Sequence, residues 1–297
     1  MHLLVTGGTG FIGHALCTVL AQGGHHVTVL TRDRGHASRR LPGVTAIEAP
    51  EQADAVDAVV NLAGEPLAAG RWTARRKQAF RESRIGTTRR LYDWIARLPE
   101  AQRPRCLVSG SAVGYYGDRG DTVLSEDASR GSDFSAQLCR DWESAALDLA
   151  TLGPRVSLLR TGIVLARDGG SLQRMLPPFR LGAGGPFGDG RHWMSWIHRD
   201  DLVALIVWLL DRGGEGAYNG TAPAPVTNAE FARTLGEAVH RPTLLRLPAV
   251  ALRLGFGEMA DLLLVSQRVI PQRAVQEGFR FRYPELRQAL AAILPRP

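Results

Sequence analysis

The sequence predicts an α/β protein, a Rossmann-type doubly wound parallel sheet followed by a small, mostly helical C-terminal domain. Three observations predict it. Short β-branched runs alternate with longer helical stretches through the first half, the pattern of a parallel sheet covered by helices on both faces. A glycine-rich bend, Thr6-Gly-Gly-Thr-Gly-Phe-Ile-Gly13, lies directly between the first such run and the first helix. After Arg160 the alternation stops, giving way to a Gly/Pro-rich stretch and then to largely helical sequence.

Taken in order, strands are expected at Leu3 to Thr6, His26 to Thr31, Val44 to Glu48, Ala58 to Leu62, Cys106 to Gly110 and Arg155 to Leu159. Helices are expected near Phe11 to Gln22, Thr73 to Arg97 and Ser135 to Leu152, with a further one at Asp200 to Leu210. The stretch from Leu176 to Gly190 reads as an irregular insertion, about 166–192, that shapes a substrate cleft with Trp193 and Trp196. The turn-rich Asn219-Gly-Thr-Ala-Pro-Ala-Pro225 marks a boundary. Residues 1–220 are thus assigned to a cofactor-binding domain and 221–297 to the smaller unit.

Composition narrows the functional classes. With 297 residues, 44% apolar and 22% charged, the chain can bury a full core without covalent staples. Cys17, Cys106 and Cys139 are odd in number and none has C-x-x-C spacing, so no disulfide framework and no metal site is expected. The longest apolar run, Leu202 to Leu210, falls short of the ~20 residues that cross a bilayer, and the N-terminus lacks signal-peptide features. A soluble cytoplasmic chain without a membrane partner is the expectation. The net charge of +7 comes almost wholly from arginine, Lys77 being the single lysine. The basic stretch from Arg71 to Arg90 reads as a solvated helix face with a contact to an anionic cofactor. It has no accompanying finger, homeodomain or RNP pattern, so nucleic acid is not expected as a partner.

The bend carries the clearest chemistry. Gly7 and Gly10 permit a tight turn that brings backbone N–H groups against a pyrophosphate, and Gly13 lets the helix pack close to the strand. Thr9, Phe11 and Ile12 complete the loop at the helix N-terminus, where the dipole favours an anion. The end of the second strand decides which dinucleotide binds, because an acid there would bond the ribose 2′-hydroxyl of NAD. That place reads Thr31-Arg32-Asp33-Arg34. Arg32 suits a 2′-phosphate, so NADP is the expected cofactor, and Asp33 is read as a partner for a neighbouring arginine.

With this bend, Asn61-Leu-Ala-Gly-Glu65 and Ser109-Gly-Ser-Ala-Val-Gly-Tyr-Tyr-Gly-Asp118, the chain resembles the extended short-chain dehydrogenase/reductase superfamily. Ser83-Arg-Ile-Gly-Thr87, Arg160-Thr-Gly-Ile-Val-Leu165, Trp196-Ile-His-Arg-Asp-Asp201, Asn219-Gly-Thr-Ala-Pro223 and the tail Val269-Ile-Pro-Gln-Arg273 look like its atypical "epimerase family" branch, an NAD-dependent epimerase/dehydratase group with its own C-terminal domain. The resemblance implies a substrate cleft between the two units. It also implies that Leu62, Ala63 and Gly64 line the cofactor, that Arg84 reaches its phosphates, and that two copies pair through helices such as Thr73 to Arg97.

The superfamily's chemistry uses a tyrosine acid/base with a lysine four residues on. Tyr92, Tyr115, Tyr116, Tyr218 and Tyr283 are followed at that spacing by Ala96, Arg119, Gly120, Ala222 and Arg287, so the pair is missing. Aligned by its helix, the tyrosine position falls on Ser135 and the lysine position on Cys139. Ser111 matches the superfamily serine or else is a hydrogen-bonded turn residue, and Tyr116, or else Tyr115, in the loop over the expected nicotinamide pocket, is the candidate phenol or an aromatic lid on the substrate; Ser111 and Tyr116 are the expected catalytic residues. Of the other polar residues, His198 and Asp201 read as structural, Asp201 in a capping or dipole role at the start of its helix, and Glu143 as a buried hydrogen-bonding or surface-paired group. The expected function is an NADP-dependent oxidoreductase or epimerase of a small polar substrate. The alternative is a catalytically silent NADPH-binding regulator acting through a protein partner.

Overall fold

A computed structural model describes residues 1–212 and 214–294. In chain order, the first part contains β1 (His2–Thr6), α1 (Phe11–Gln22), β2 (His26–Leu30), α2 (Arg34–Arg40), β3 (Thr45–Ile47), β4 (Ala58–Asn61), α3 (Ala74–Arg81), α4 (Thr87–Arg97), β5 (Cys106–Ala112), β6 (Val123–Leu124), α5 (Phe134–Leu147) and β7 (Arg155–Thr161). There follow β8 (Ile163–Ala166), α6 (Gly170–Arg180), β9 (Trp193–Met194), β10 (Trp196–His198), α7 (Arg199–Arg212), β11 (Gly216–Gly220), β12 (Val226–Thr227) and α8 (Asn228–Ala238). The chain closes with α9 (Ala249–Phe256), α10 (Asp261–Leu264), β13 (Arg268–Val269), α11 (Gln272–Gln276) and α12 (Leu286–Ile293).

Seven parallel strands form the main sheet in the order β11-β7-β5-β4-β1-β2-β3. Alternation along each strand feeds two cores. Leu3, Val5, Val60 and Val108 pack on one face with Leu16 and Leu20 of α1 and Leu205 and Leu209 of α7. Leu4, Val59 and Leu107 point the other way, onto Leu91 and Ile95 of α4 and Ala146 of α5. A sheet covered on both faces needs strands that are apolar at every position, which is why these runs read as continuous hydrophobic sequence. The strand order reverses beside β1, where β2 departs to one side and β4 to the other. This is the switch point at whose carboxyl end open α/β sheets leave a crevice.

The six expected strands all occur in the main sheet, to which the structure adds a seventh, β11; six short strands pair outside it among the described residues. Its sequence, Gly-Ala-Tyr-Asn-Gly, is a poor strand former, and its extended form comes from pairing with β7 and burying Tyr218 and Asn219. The expected helix from Thr73 to Arg97 is interrupted by a π-helical turn at Glu82–Gly86. The stretch expected to be irregular from Leu176 is instead helical through Arg180. Leu172, Leu176 and Phe179 bury at helical spacing, and Pro177 and Pro178 fall in the last turn.

A third apolar cluster joins α6, β9 and β10 to α8 and α12 through Leu172, Leu176, Trp196, Phe231, Leu235 and Leu290. It therefore draws on residues from both sides of position 221. Asp201 stands in the first turn of α7, where the helix dipole favours its charge, and it has a further task. Its carboxylate accepts the backbone N–H groups of Arg282 and Tyr283 at 2.8 and 2.9 Å, pinning the C-terminal segment to the start of that helix.

Candidate functional site

The bend between β1 and α1 is built so that side chains cannot enter it. Gly7 has φ +68°, and a Cβ there would stand 2.6 Å from the carbonyl oxygen of Leu62. A Cβ at Gly13 would meet the carbonyl of Gly7 and come within 2.8 Å of Gly8 Cα. The backbone thus folds onto itself and onto the end of β4. Thr6 locks this junction: its hydroxyl donates to Asn61 Oδ1 at 2.7 Å and accepts from the Ala63 N–H at 3.1 Å. Helix α1 then starts from Gly10 with no side-chain cap and no acid in its first turn. The opening N–H groups of Phe11, Ile12 and Gly13 have no acceptor within the helix, and the helix dipole favours negative charge there.

The tip of β2 lies beside this bend. Arg32 keeps 94% of its side-chain exposure and stands 3.7 Å from the carboxylate of Glu65, a contact weak enough for an incoming phosphate to replace. Asp33 does not pair with an arginine, as its sequence neighbours suggested. Its carboxylate caps α2, accepting from the His36 N–H at 2.8 Å, because the helix that starts there needs an N-terminal acceptor. Thr31 fixes the turn, its hydroxyl accepting from the Asp33 N–H at 3.2 Å.

After β4, Leu62 and Ala63 are half-buried while Gly64 is exposed. Arg84 reaches this loop from the π-helical turn. Its guanidinium donates to the carbonyls of Glu65 (3.0 Å) and Phe80 (3.3 Å), lies over the Trp142 ring, and occupies the place a side chain at Gly64 would take. Burial holds its pKa below the ordinary arginine value. π-turns commonly re-aim side chains at functional sites, and this one directs Arg84 at the crevice.

Ser111 and Tyr116 meet in one buried network. The Ser111 hydroxyl donates to Glu143 Oε1 at 2.6 Å, and Arg160 forks onto both oxygens of that carboxylate at 2.9 Å. Arg160 also donates to the Tyr116 hydroxyl at 3.0 Å, and Tyr116 in turn donates to Asn219 Oδ1 at 2.7 Å. The Tyr115 ring stacks on the Arg160 guanidinium, 3.5 Å from centroid to Cζ. Burial works against the charge of Arg160, but the Glu143 carboxylate more than offsets it and holds the pKa above the usual value. Tyr116 is fully buried, and burial pushes its phenol up to about 12. The thiol of Cys139 is likewise pushed up to about 12 by burial and is neutral at physiological pH.

Sequence reading gave Arg160 and Asn219 no role, and left Glu143 open between a buried and a surface partner. A usable signal was present: an arginine inside the apolar run Arg155 to Thr161 is buried only with a buried acid beside it. His198 is also internal, its Nδ1 accepting from the Asp200 N–H and its ring 4.1 Å from that of Tyr283. Burial lowers its pKa, so it stays neutral as a packing group. No group of three His, Cys, Asp or Glu side chains able to hold a metal occurs among the described residues. No described helix is long and apolar enough to cross a membrane.

The buried phenols predict an alkaline transition. Tyr116 and Tyr218, both fully buried and both raised by burial to about 12, keep their protons in the folded state while the unfolded chain loses them near pH 10. Their stabilisation is complete below pH 10 and lost as pH rises towards 12. Ultraviolet titration should show two of the five tyrosines ionising only with unfolding. Ionisation of every tyrosine while the protein is still folded would refute the burial.

A side-chain-free glycine bend at the switch point of a seven-stranded parallel sheet, feeding an uncapped helix, defines a Rossmann-fold nucleotide-binding protein of the short-chain dehydrogenase/reductase type. The chain belongs to the NAD dependent epimerase/dehydratase family, which it matches over residues 3–220, and residues 247–293 match a domain of unknown function, DUF1731. It is 43% identical to the epimerase family protein SDR39U1 homolog, chloroplastic, of Arabidopsis thaliana, covering 99% of this chain and 87% of that one. To the human epimerase family protein SDR39U1 it is 40% identical, covering 99% and 100%. The crystal structure of human epimerase family protein SDR39U1 (isoform 2) with NADPH matches with a TM-score of 0.90 and 38% identity over 99% of both chains. UDP-glucose 4-epimerase of Thermotoga maritima, at 17% identity and a TM-score of 0.81 over 99% and 97% of the two chains, shares the fold.

Proposed function

We propose that this chain binds NADPH in the crevice at β1, β2 and β4 and works as an NADP-dependent oxidoreductase or epimerase on a small polar substrate, without a tyrosine–lysine pair. The observation that carries the reading is the bend: a glycine-walled turn feeding a helix with no cap and no first-turn acid fits a diphosphate and little else. The NADPH bound by the human relative, 38% identical over almost the whole chain, supports the same cofactor here. In this reading the N–H groups of Gly7, Thr9, Phe11, Ile12 and Gly13 surround the diphosphate, the Gly10 N–H closes the bend on the Gly7 carbonyl at 2.9 Å, and Leu62, Ala63 and Gly64 line the adenosine side. Thr31 and Arg32 take the 2′-phosphate, and Arg84 adds a fixed cation.

The cofactor supplies hydride chemistry, and the chain's own groups bind and orient. Ser111 has committed its proton to Glu143, so its oxygen retains lone pairs to accept from a substrate hydroxyl. Tyr116, fully buried and bonded to Asn219 and Arg160, acts in this reading as a positioning group for the loop rather than as a proton donor. A second reading, the NADPH-loaded regulator, is favoured by one observation, the neutral, buried thiol of Cys139 where the superfamily holds a lysine cation.

Two measurements test this. Fluorescence titration should give wild-type protein a clear preference for NADPH over NADH. Arg32→Ala should erase roughly 10- to 100-fold of it, the value of a charge-assisted bond to phosphate. Equal wild-type affinities would defeat the NADP assignment. Absorbance at 340 nm with NADPH-loaded protein and a panel of aldehydes, ketones and quinones, together with chromatography of sugar nucleotides incubated with NADP+-loaded protein, whose epimerisation leaves the cofactor unchanged, then separates the two readings. Turnover selects the enzyme, and tightly held NADPH without turnover selects the regulator.

A further inference from the structure

Seven of the twelve large apolar side chains that stand exposed among the described residues fall on Leu181 and the segment 244–256. The two segments are joined in space. Arg241 donates to the Arg180 carbonyl at 3.0 Å, Leu247 N–H to the Pro186 carbonyl at 3.0 Å, and Gly188 N–H to the Leu247 carbonyl at 2.9 Å. Leu181 and Leu244 retain 83% and 85% of their exposure, and Val250 and Leu254, one turn apart on α9, retain 66% and 74%. Leu252, on the opposite side of that helix, is buried. Side chains that exposed touch almost nothing, so they project from the surface instead of lining a groove. Neither 170–188 nor 238–257 contains an acidic residue, though Asp189, Glu237 and Glu258 border them; Arg174, Arg180, Arg241 and Arg246 lie within them, and Arg253 is paired with Asp261 at 3.7 Å.

We infer that this face is a membrane-surface contact for anionic lipid, into which Leu181, Leu244 and Leu254 dip while Arg180 and Arg246 meet the phosphates. Projecting aliphatic side chains with a cationic rim fit the boundary between acyl chains and headgroups, where no preformed complementary pocket is needed. A second copy fits less well, because an isologous pairing would bring the same arginines together across the interface. The sequence expectation of no membrane partner rested on the lack of a spanning segment. Lying on a bilayer requires none.

The test is co-sedimentation of the full-length, NADPH-loaded protein with vesicles of phosphatidylcholine alone or mixed with phosphatidylglycerol. Binding is expected only with the anionic lipid and should weaken with salt. Leu181→Ser/Leu244→Ser/Leu254→Ser should weaken it about a hundredfold, since each leucine gives up its burial. Arg246→Gln should weaken it roughly fivefold, and Arg89→Gln, on the exposed side of α4, should leave it unchanged. All of these side chains are exposed, so thermal melting and NADPH affinity should match wild type and show that the variants fold. The proposal is overturned if wild-type protein stays in the supernatant at low salt, or if the serine variant sediments as well as wild type, which would mean general attraction of a basic protein. A concentration-dependent dimer that the serine variant abolishes would overturn it in favour of an interface between copies.

Discussion

Gly13→Ala should cost about 1–3 kcal/mol of stability and weaken NADPH binding at least about a hundredfold, although alanine is the better helix former by ~1 kcal/mol. Sterics decide the sign. The added Cβ would collide with the Gly7 carbonyl and stand 2.8 Å from Gly8 Cα, both backbone atoms of the bend that is to hold the diphosphate. The loop must open to admit it, and the N–H groups then lose their common focus. Gly255 provides the contrast within the same molecule. It lies in α9 with nothing within 4 Å of an added Cβ, so Gly255→Ala should stabilise by up to ~1 kcal/mol. Urea melts and NADPH titrations of both variants check the pair. Wild-type affinity in Gly13→Ala would mean that the bend does not hold the cofactor.

The second large effect is expected at the buried ion pair. Glu143 and Arg160 retain only 7% and 6% of their side-chain exposure and meet through a bidentate fork. Arg160→Ala leaves the Glu143 carboxylate with Ser111 as its one remaining hydrogen-bond partner, and removes the cation between Tyr115 and Tyr116. A loss of about 3–5 kcal/mol is expected, because an uncompensated buried charge costs more than the pair contributes. Replacing both partners by Glu143→Leu and Arg160→Met should come back towards wild type. This pattern separates desolvation from Coulomb attraction in a double-mutant cycle. A single-variant loss below ~1 kcal/mol would show that water reaches the pair.

Much of the fold was legible because the physics behind it is local or periodic. Apolar runs with β-branched residues gave β1, β2, β4, β5 and β7 their place in the sequence. The glycine spacing from Gly7 to Gly13 named the crevice, because few backbone tasks other than phosphate contact demand that many missing side chains in one turn. The strand β11 was not legible: in Gly-Ala-Tyr-Asn-Gly only the tyrosine favours a strand, and the segment is extended because β7 offers it a ladder. Helix α6 was hidden by Pro177, Pro178 and the glycines after it, although its buried spacing at Leu172, Leu176 and Phe179 was present.

The same division runs through the site. Arg32 at the tip of β2 follows from sequence order alone, since a strand delivers its last residue to the sheet's carboxyl edge. The environments of Ser111 and Tyr116 do not follow from order. They depend on α5 and β7 bringing Glu143 and Arg160 beneath the loop, and on β11 adding Asn219 from more than a hundred residues away. Asp201 was assigned to its own helix for the same reason, since the backbone N–H groups it binds belong to a segment 81 and 82 residues later.

By itself, then, the sequence determined the order of strand, bend and helix, the glycine positions that leave room for an anion, and the absence of a tyrosine–lysine pair, because each depends on near neighbours or on residue identity. Tertiary structure alone decided which polar groups are buried together, which carboxylate each arginine meets, and which leucines are left facing outward. Those outcomes depend on distant segments sharing a low-dielectric interior, where an unpaired charge is too costly to persist and every partner must be supplied by the fold.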